Sequence, residues 1–221
     1  MPPFHPRPAD LPPEIAVFPL SGALLLPQGK LPLNIFEPRY LAMTLDALAN
    51  GRMFGMVQPD ARQGRGETGP GTYRIGCLGR VSSFSETDDG RLLITLTGLS
   101  RFRIVEELPL AAGGYRRVRA DYSDFLADLD TEAEPPPLDR AELLSALRPY
   151  FRARGIDANW EAVEQMGDTM LVTTLSMVCP FEAPEKQALL EAPDQVERAR
   201  MLIALMRMGA AANAPPEGRP S

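Results

Sequence analysis

Between two proline-rich ends, the hydrophobic pattern of this 221-residue chain changes period once, near Asp139. That change dictates an α+β architecture with strands first and helices after, because each period buries a different kind of face. From Glu14 to about Tyr122 the apolar residues fall in short runs (15–20, 23–26, 31–35, 53–58, 72–83, 91–97, 101–107 and 115–122). Pro and Gly separate these runs, the punctuation of short, bent strands. The Asp89-Gly90 pair between two runs suits a tight hairpin with positive φ. One helix over 38–49 interrupts the series: Pro38 suits a first helical turn, Leu41, Leu45 and Leu48 share a face, and Asn50-Gly51 closes it. Pieces of this kind pack as a mixed β-domain resembling a barrel.

Beyond Asp139 the spacing is helical. Asp139 and Glu142 have the form of a capping box, and Leu143, Leu147, Tyr150 and Phe151 share a face. Trp160 and Val163 mark a short second helix, and Leu171, Leu175 and Val178 a third. Pro184 opens a fourth, and Val196, Ala199, Ile203 and Met206 stripe a last one that ends at Gly209. The expected organisation is a flexible Pro-rich tail (1–13), a β-barrel (14–123), an acidic Pro-rich linker (124–138), a helical bundle (139–209) and a second flexible tail (210–221).

Composition narrows the chemistry. A formal charge of −6, from 29 acidic and 23 basic residues, argues against general nucleic-acid binding. The single histidine, His5, lies in the N-terminal tail, so histidine triads and multi-histidine metal sites are excluded. Cys77 and Cys179 fall in different halves and read as reduced, buried thiols. The run 15–26 has the length of a signal-peptide core, but Pro19 breaks it and its flanks do not fit. No window reaches the roughly 18 apolar residues of a membrane span. The chain reads as cytoplasmic, with no metal, no cofactor and no catalytic residues expected.

Several motifs invite a sharper reading. Gly64-Arg65-Gly66-Glu67-Thr68-Gly69 spells a dinucleotide fingerprint, but Pro70-Gly71 and another strand follow where a helix would be needed, so it reads as a glycine-rich hairpin loop. Neither Lys30 nor Lys186 stands in a phosphate-binding loop; Lys186 reads as part of a surface-like helix beginning and Lys30 as part of a loop, neither of them the buried pocket a serine–lysine dyad needs. Arg101, Arg103, Arg116, Arg117 and Arg119 could present an arginine-rich strand face to an RNA backbone, or form an exposed sheet face balanced by acids. Glu161, Glu164 and Asp168 share helical spacing, as acid–base groups beside a small-molecule pocket or as a solvated row. Met166, Met170, Met177, Met201, Met206 and Met208 suit either core filling or an adaptable apolar surface. The most informative stretch runs from Leu31 to Tyr40. It ends a strand, sets Glu37 at the positive end of the helix beginning at Pro38, and gathers Phe36, Glu37, Arg39 and Tyr40 at one corner. That corner is the candidate peptide-binding site.

These residues carry a family resemblance. Phe18-Pro19-Leu20, then Leu26-Pro27-Gln28-Gly29, then Leu31-Pro32-Leu33-Asn34-Ile35-Phe36-Glu37-Pro38-Arg39-Tyr40 resemble the opening of the Lon protease N-terminal, substrate-binding domain. The likeness continues through Ile75-Gly76-Cys77, the hairpin at Asp89-Gly90-Arg91, Gly98-Leu99-Ser100-Arg101-Phe102-Arg103-Ile104 and Lys186-Gln187-Ala188-Leu189-Leu190-Glu191 followed by Arg198, covering roughly 14–208. The resemblance implies a PUA-like β-barrel followed by a helical bundle. It also implies a non-enzymatic module that binds unfolded or extended polypeptides or a dedicated protein partner, in protein quality control, with a separate ATPase or protease as a further partner. The chain is similar to the stand-alone Lon-domain proteins of bacteria, because it stops where the ATPase and peptidase modules would begin.

Overall fold

The computed structural model describes residues 6–131 and 137–212. His5, Pro135-Pro136 of the acidic segment and the chain beyond residue 212 lie outside them. The strands are β1 (Glu14–Pro19), β2 (Lys30–Ile35), β3 (Met53–Val57), β4 (Arg65–Gly66), β5 (Gly69–Pro70), β6 (Ile75–Glu86), β7 (Leu92–Leu108) and β8 (Arg116–Asp121), with helix α1 (Pro38–Ala49) after β2. Five further helices follow: α2 (Arg140–Arg154), α3 (Trp160–Gln165), α4 (Asp168–Val178), α5 (Ala183–Glu191) and α6 (Gln195–Ala212).

The strand order β2-β7-β6-β3-β1-β8, with a further β7–β8 pairing, closes five strands into a ring and leaves β2 appended to β7. Only the β1–β3 pairing is parallel among the named pairs. Closure depends on β7, which pairs with β2 through its first residues and with β8 through its last. Register shifts at Leu78/Gly79 and Val81/Ser83 bend the β6–β7 ribbon, and another at Ile104/Glu106 bends the β7–β8 pair, the local kinks a small closed sheet needs. Gly98 sits in the middle of β7 because a Cβ there would lie 2.0 Å from the Leu26 carbonyl oxygen. The sequence suggests two strands on either side of this glycine; the strand runs through it, and the missing side chain admits the neighbouring loop.

That loop is a second departure. The run 23–26 is not a strand: Leu24, Leu25 and Leu26 are buried in irregular backbone that plugs the space between the ring and the helices. They join Phe18, Tyr40 and Met43 from the N-terminal half and Leu143, Tyr150, Leu189 and Leu202 from the helices in one apolar core. A second cluster, with Ile15, Val17, Leu78, Phe102 and Val118, fills the ring itself. The two halves therefore share a core.

The segments expected to be loose are partly structured. Within the acidic segment, Ser123–Leu129 forms a 3-10 helix that buries Phe125 and Leu129. Phe125 and Leu129 face the barrel while Leu126 stays exposed, and the helix's two acids, Asp124 and Asp128, pair with Arg103 and Arg101. In the N-terminal tail, Pro8–Asp10 forms a short 3-10 turn, Leu11 is buried and the Tyr122 hydroxyl donates to the Pro12 carbonyl at 3.0 Å. At the Asp89-Gly90 hairpin only Gly90 has positive φ (78°), with the Gly90 N–H bonded to the Thr87 carbonyl, so the connection is wider than a two-residue turn. Helix α2 begins as its sequence indicates: the Asp139 carboxylate accepts from the Glu142 N–H at 2.9 Å, and Gly155 ends the helix with φ 64°.

Candidate functional site

Three buried charged residues tie the helical half together and to the N-terminal half, and for two of them the structure departs from the sequence expectation. Lys186 is buried: its ammonium donates to the Gly22 carbonyl at 2.7 Å and the Met177 carbonyl at 3.1 Å. Its surface reading fails because α5 turns its first residues inward against the plug loop, and burial lowers the lysine's pKa. Arg101 is buried too. Asp128 in the 3-10 helix accepts from its backbone N–H, Nε and Nη2, each at 2.9 Å, while Nη1 donates to the Leu190 and Ala192 carbonyls. Arg198 donates from Nε to the Leu189 carbonyl at 2.9 Å. Both guanidiniums thus sit at the C-terminal end of α5, where the unpaired carbonyls carry negative partial charge. Burial, then the nearby Arg101, lower the Arg198 pKa to about 10. Gln187 adds a neutral tie, donating to the Ile75 carbonyl at 3.1 Å.

The other arginines of the proposed basic face are also engaged. Arg116 is buried and paired with Glu107, Arg103 pairs with Asp124 at 2.9 Å, and Arg119 with Glu106 at 2.8 Å. Arg117 donates to the Pro109 carbonyl at 3.4 Å. The five do not form one open cationic surface, because the bends of β7 and the alternation of β8 send them to different surroundings. The acidic row is divided likewise: Asp168 meets Arg140, Glu164 meets Arg148, and Glu161 accepts from Gln165. Cys77 and Cys179 are buried free thiols, and burial pushes the Cys179 pKa up to about 12. Among the described residues no cluster of His, Cys, Asp and Glu could hold a metal ion, and no helix is long and apolar enough to cross a membrane.

The Leu31–Tyr40 corner divides in two. Tyr40 is buried, its ring centroid 4.0 Å from that of Phe18, and so belongs to the core. Its immediate neighbours remain outside: Phe36 is 61% exposed, and Arg39 pairs with Glu37 at 2.9 Å while lying 4.6 Å over the Tyr40 ring. Two residues before Phe36, the chain enters a groove of about 590 Å³ lined by Pro32, Leu33 and Asn34 of β2, Ser83, Phe84 and Ser85 of β6, and Leu93, Ile94 and Thr95 of β7. Phe84 is 54% and Leu93 45% exposed. Neither was singled out in the sequence. Phe84 stands among Ser82, Ser83 and Ser85, an aromatic in an otherwise polar stretch, and that contrast was the available signal. Of the methionines, Met177 and Met206 are core while Met170, Met201 and Met208 are exposed on the helices.

A five-strand ring closed by one bent strand, with a helical half on a shared core and an open groove at the appended strand, defines a compact α+β domain. The chain matches the ATP-dependent protease La (LON) substrate-binding domain over residues 14–208 and belongs to that family. Lon protease 2 of Myxococcus xanthus is 24% identical over 201 residues, spanning 89% of this chain and 24% of that protein. The Lon protease of Dictyoglomus thermophilum is 27% identical over 192 residues, spanning 86% and 24%. The chain thus spans about a quarter of the length of these curated relatives. Among solved structures, the Lon N-terminal domain protein from Xanthomonas campestris has a TM-score of 0.60 at 21% identity, covering 86% of this chain and 97% of that one. The N-terminal domain of Mycobacterium avium complex Lon protease gives 0.60 at 16% identity, covering 87% and 97%. The family and fold expected from the sequence motifs hold.

Proposed function

We infer that the protein is a non-catalytic polypeptide-binding module of protein quality control, taking extended, apolar segments of unfolded chains in the shallow groove that runs across the paired strands β2, β7 and β6. The observation that carries this reading is the exposure of Leu93 in a concave site at the start of β7, beside Pro32 and Asn34 of β2, with Phe84 exposed on the opposite face of the same ribbon, where it pairs with Ile94, and Phe36 exposed just beyond β2. Exposed large apolar side chains gathered around a groove mark an interaction site. The hairpin brings Glu86, Asp88 and Asp89 against a single Arg91, which pairs with Asp89 at 2.7 Å, so the preferred segments carry basic residues beside their apolar ones. Family membership supports polypeptide as the ligand class. Pro32 in β2 leaves that edge without one N–H donor, so side-chain burial rather than strand addition supplies most of the affinity.

Photocrosslinking tests the location. An unfolded polypeptide carrying a benzophenone group should label peptides containing Phe36, Phe84 or Leu93. Labelling confined to the exposed methionines of α4 and α6 would move the site to the helical half. The arginine pairings leave the RNA reading without a surface of its own.

A further inference from the structure

At the opposite end of β7 from the groove, the glycine-rich hairpin β4–β5 covers a cleft of about 710 Å³. Gly64, Gly66, Gly69 and Gly71 line it and contribute only backbone to the wall. The hairpin's base is fixed: buried Asp60 holds Arg62 at 2.9 Å and Gln63 at 3.1 Å, and the Asp60 N–H bonds the Gly71 carbonyl at 2.9 Å. Its tip is fastened by Glu107, whose carboxylate takes the Thr68 hydroxyl and pairs with Arg116.

Arg116 is the unusual member. Its side chain is 8% exposed, it donates from Nη1 to the Pro70 carbonyl at 2.8 Å, and its Nε is buried without an acceptor. A buried guanidinium with an unused donor is costly to keep, which marks the position as one where a further acceptor is wanted. The Glu107 side chain is 36% exposed, so it can swing into solvent while Arg116 cannot. A guanidinium at the floor, a backbone-lined wall and an exchangeable acidic side chain over them make a carboxylate site with a tethered occupant.

The geometry points to a second ligand site here, one that takes a carboxylate of a bound polypeptide on Arg116, with Glu107 as the built-in occupant that the ligand displaces. The choice of a polypeptide as the carboxylate's source rests on the proposed function, but the site does not involve the apolar groove. Two sources share the chemistry, the C-terminal α-carboxylate and an Asp or Glu side chain. A tethered competitor lowers apparent affinity by the fraction of time the site is free, so removing it restores the intrinsic value.

The test uses Gly/Ser octapeptides, which have no apolar side chain for the groove: one with a free C-terminus, one amidated, and one amidated with an internal glutamate. Binding is followed on the full chain by the ¹⁵N signals of the Arg116 Nε–H and the four glycine amides. Glu107→Gln keeps the shape and an acceptor for Thr68 while removing the competing charge, and should tighten carboxylate binding at least about tenfold. Thr68→Val loosens Glu107 and should tighten it by about threefold. The free-terminus peptide alone responding assigns the site to chain ends; both carboxylate peptides responding assigns it to any carboxylate. Equal binding of the plain amidated peptide, no gain in either folded variant, or no shift of the Arg116 signal would overturn the proposal, whatever the groove does.

Discussion

Removing the Asp128 carboxylate should be among the most damaging single surface-to-core changes in the protein. In Asp128→Ala the Arg101 backbone N–H, Nε and Nη2 lose their 2.9 Å acceptor together. The pair is nearly dry, with side chains 7% and 10% exposed. Breaking a buried pair by deleting one partner costs about 3–5 kcal/mol, because the surviving charge stays buried. Two features adjust that figure in opposite directions. The Leu190 and Ala192 carbonyls continue to hold Arg101, but buried Arg198 nearby faces a like charge with Asp194 as its remaining acid. A net loss of about 3–4 kcal/mol follows, lowering Tm by about 10 °C for a domain of this size. The internal control is Asp124→Ala in the same 3-10 helix. Its pair with Arg103 has the same chemistry, but the side chains are 48% and 59% exposed, so it should cost less than about 1 kcal/mol. Urea unfolding at pH 7, followed by Trp160 fluorescence and by circular dichroism, measures both. The double variant Arg101→Met/Asp128→Leu should recover most of the loss, since apolar residues of similar volume replace a buried pair well. If Asp128→Ala and Asp124→Ala proved equal, burial would not be what sets the strength of this tie.

Two other outcomes follow from the same structure. Gly98→Ala places a methyl 2.0 Å from the Leu26 carbonyl oxygen, a backbone atom that cannot give way cheaply, so the plug loop must move and Tm should fall by more than about 5 °C; an unchanged Tm would show the loop to be loosely held. At alkaline pH, Cys77, Cys179, Tyr115, Tyr122 and Tyr150 all titrate above their unfolded values, chiefly because burial disfavours their anions. Groups with raised folded pKa values stabilise the fold fully below the unfolded pKa and lose that contribution as pH climbs. Lys186 and Arg198 act in the opposite sense but are fewer. The urea midpoint should therefore fall steadily from pH 9 to 11, and a flat or rising midpoint would contradict the burial of these groups.

Local chemistry made much of the fold legible. Helix α1 spans Pro38–Ala49 as its proline start and Asn50-Gly51 stop indicate, and the Asp139 cap opens α2 where the period changes. What escaped were features set by distant partners. An apolar triplet such as Leu24-Leu25-Leu26 has the same composition whether it pairs as a strand or plugs a gap, and only the glycine at 98 hinted at the close approach. Lys186 looked solvent-facing because its carbonyl acceptors, Gly22 and Met177, belong to segments that meet it only in the folded chain. The same holds for Arg101 and Asp128, 27 residues apart, which turned a supposed linker into part of the core. The site is half legible: the motif contains both Phe36, which is exposed, and Tyr40, which is buried, while only strand register sets Leu93 beside Asn34 and Phe84 on the other face, beside Ile94.

The central claim is that the groove binds unfolded polypeptide. Fluorescence anisotropy of a labelled, permanently unfolded chain, titrated with the protein at 0.05 M and 0.5 M salt beside a folded control of similar charge, tests it most directly. The unfolded chain should bind saturably near micromolar affinity, about −8 kcal/mol, and the binding should persist at high salt. Leu93→Ser and Phe36→Ser should each weaken it by about fivefold or more with Tm unchanged, because each removes an exposed apolar contact. Equal binding of the folded control, or affinity indifferent to both substitutions, would contradict the account.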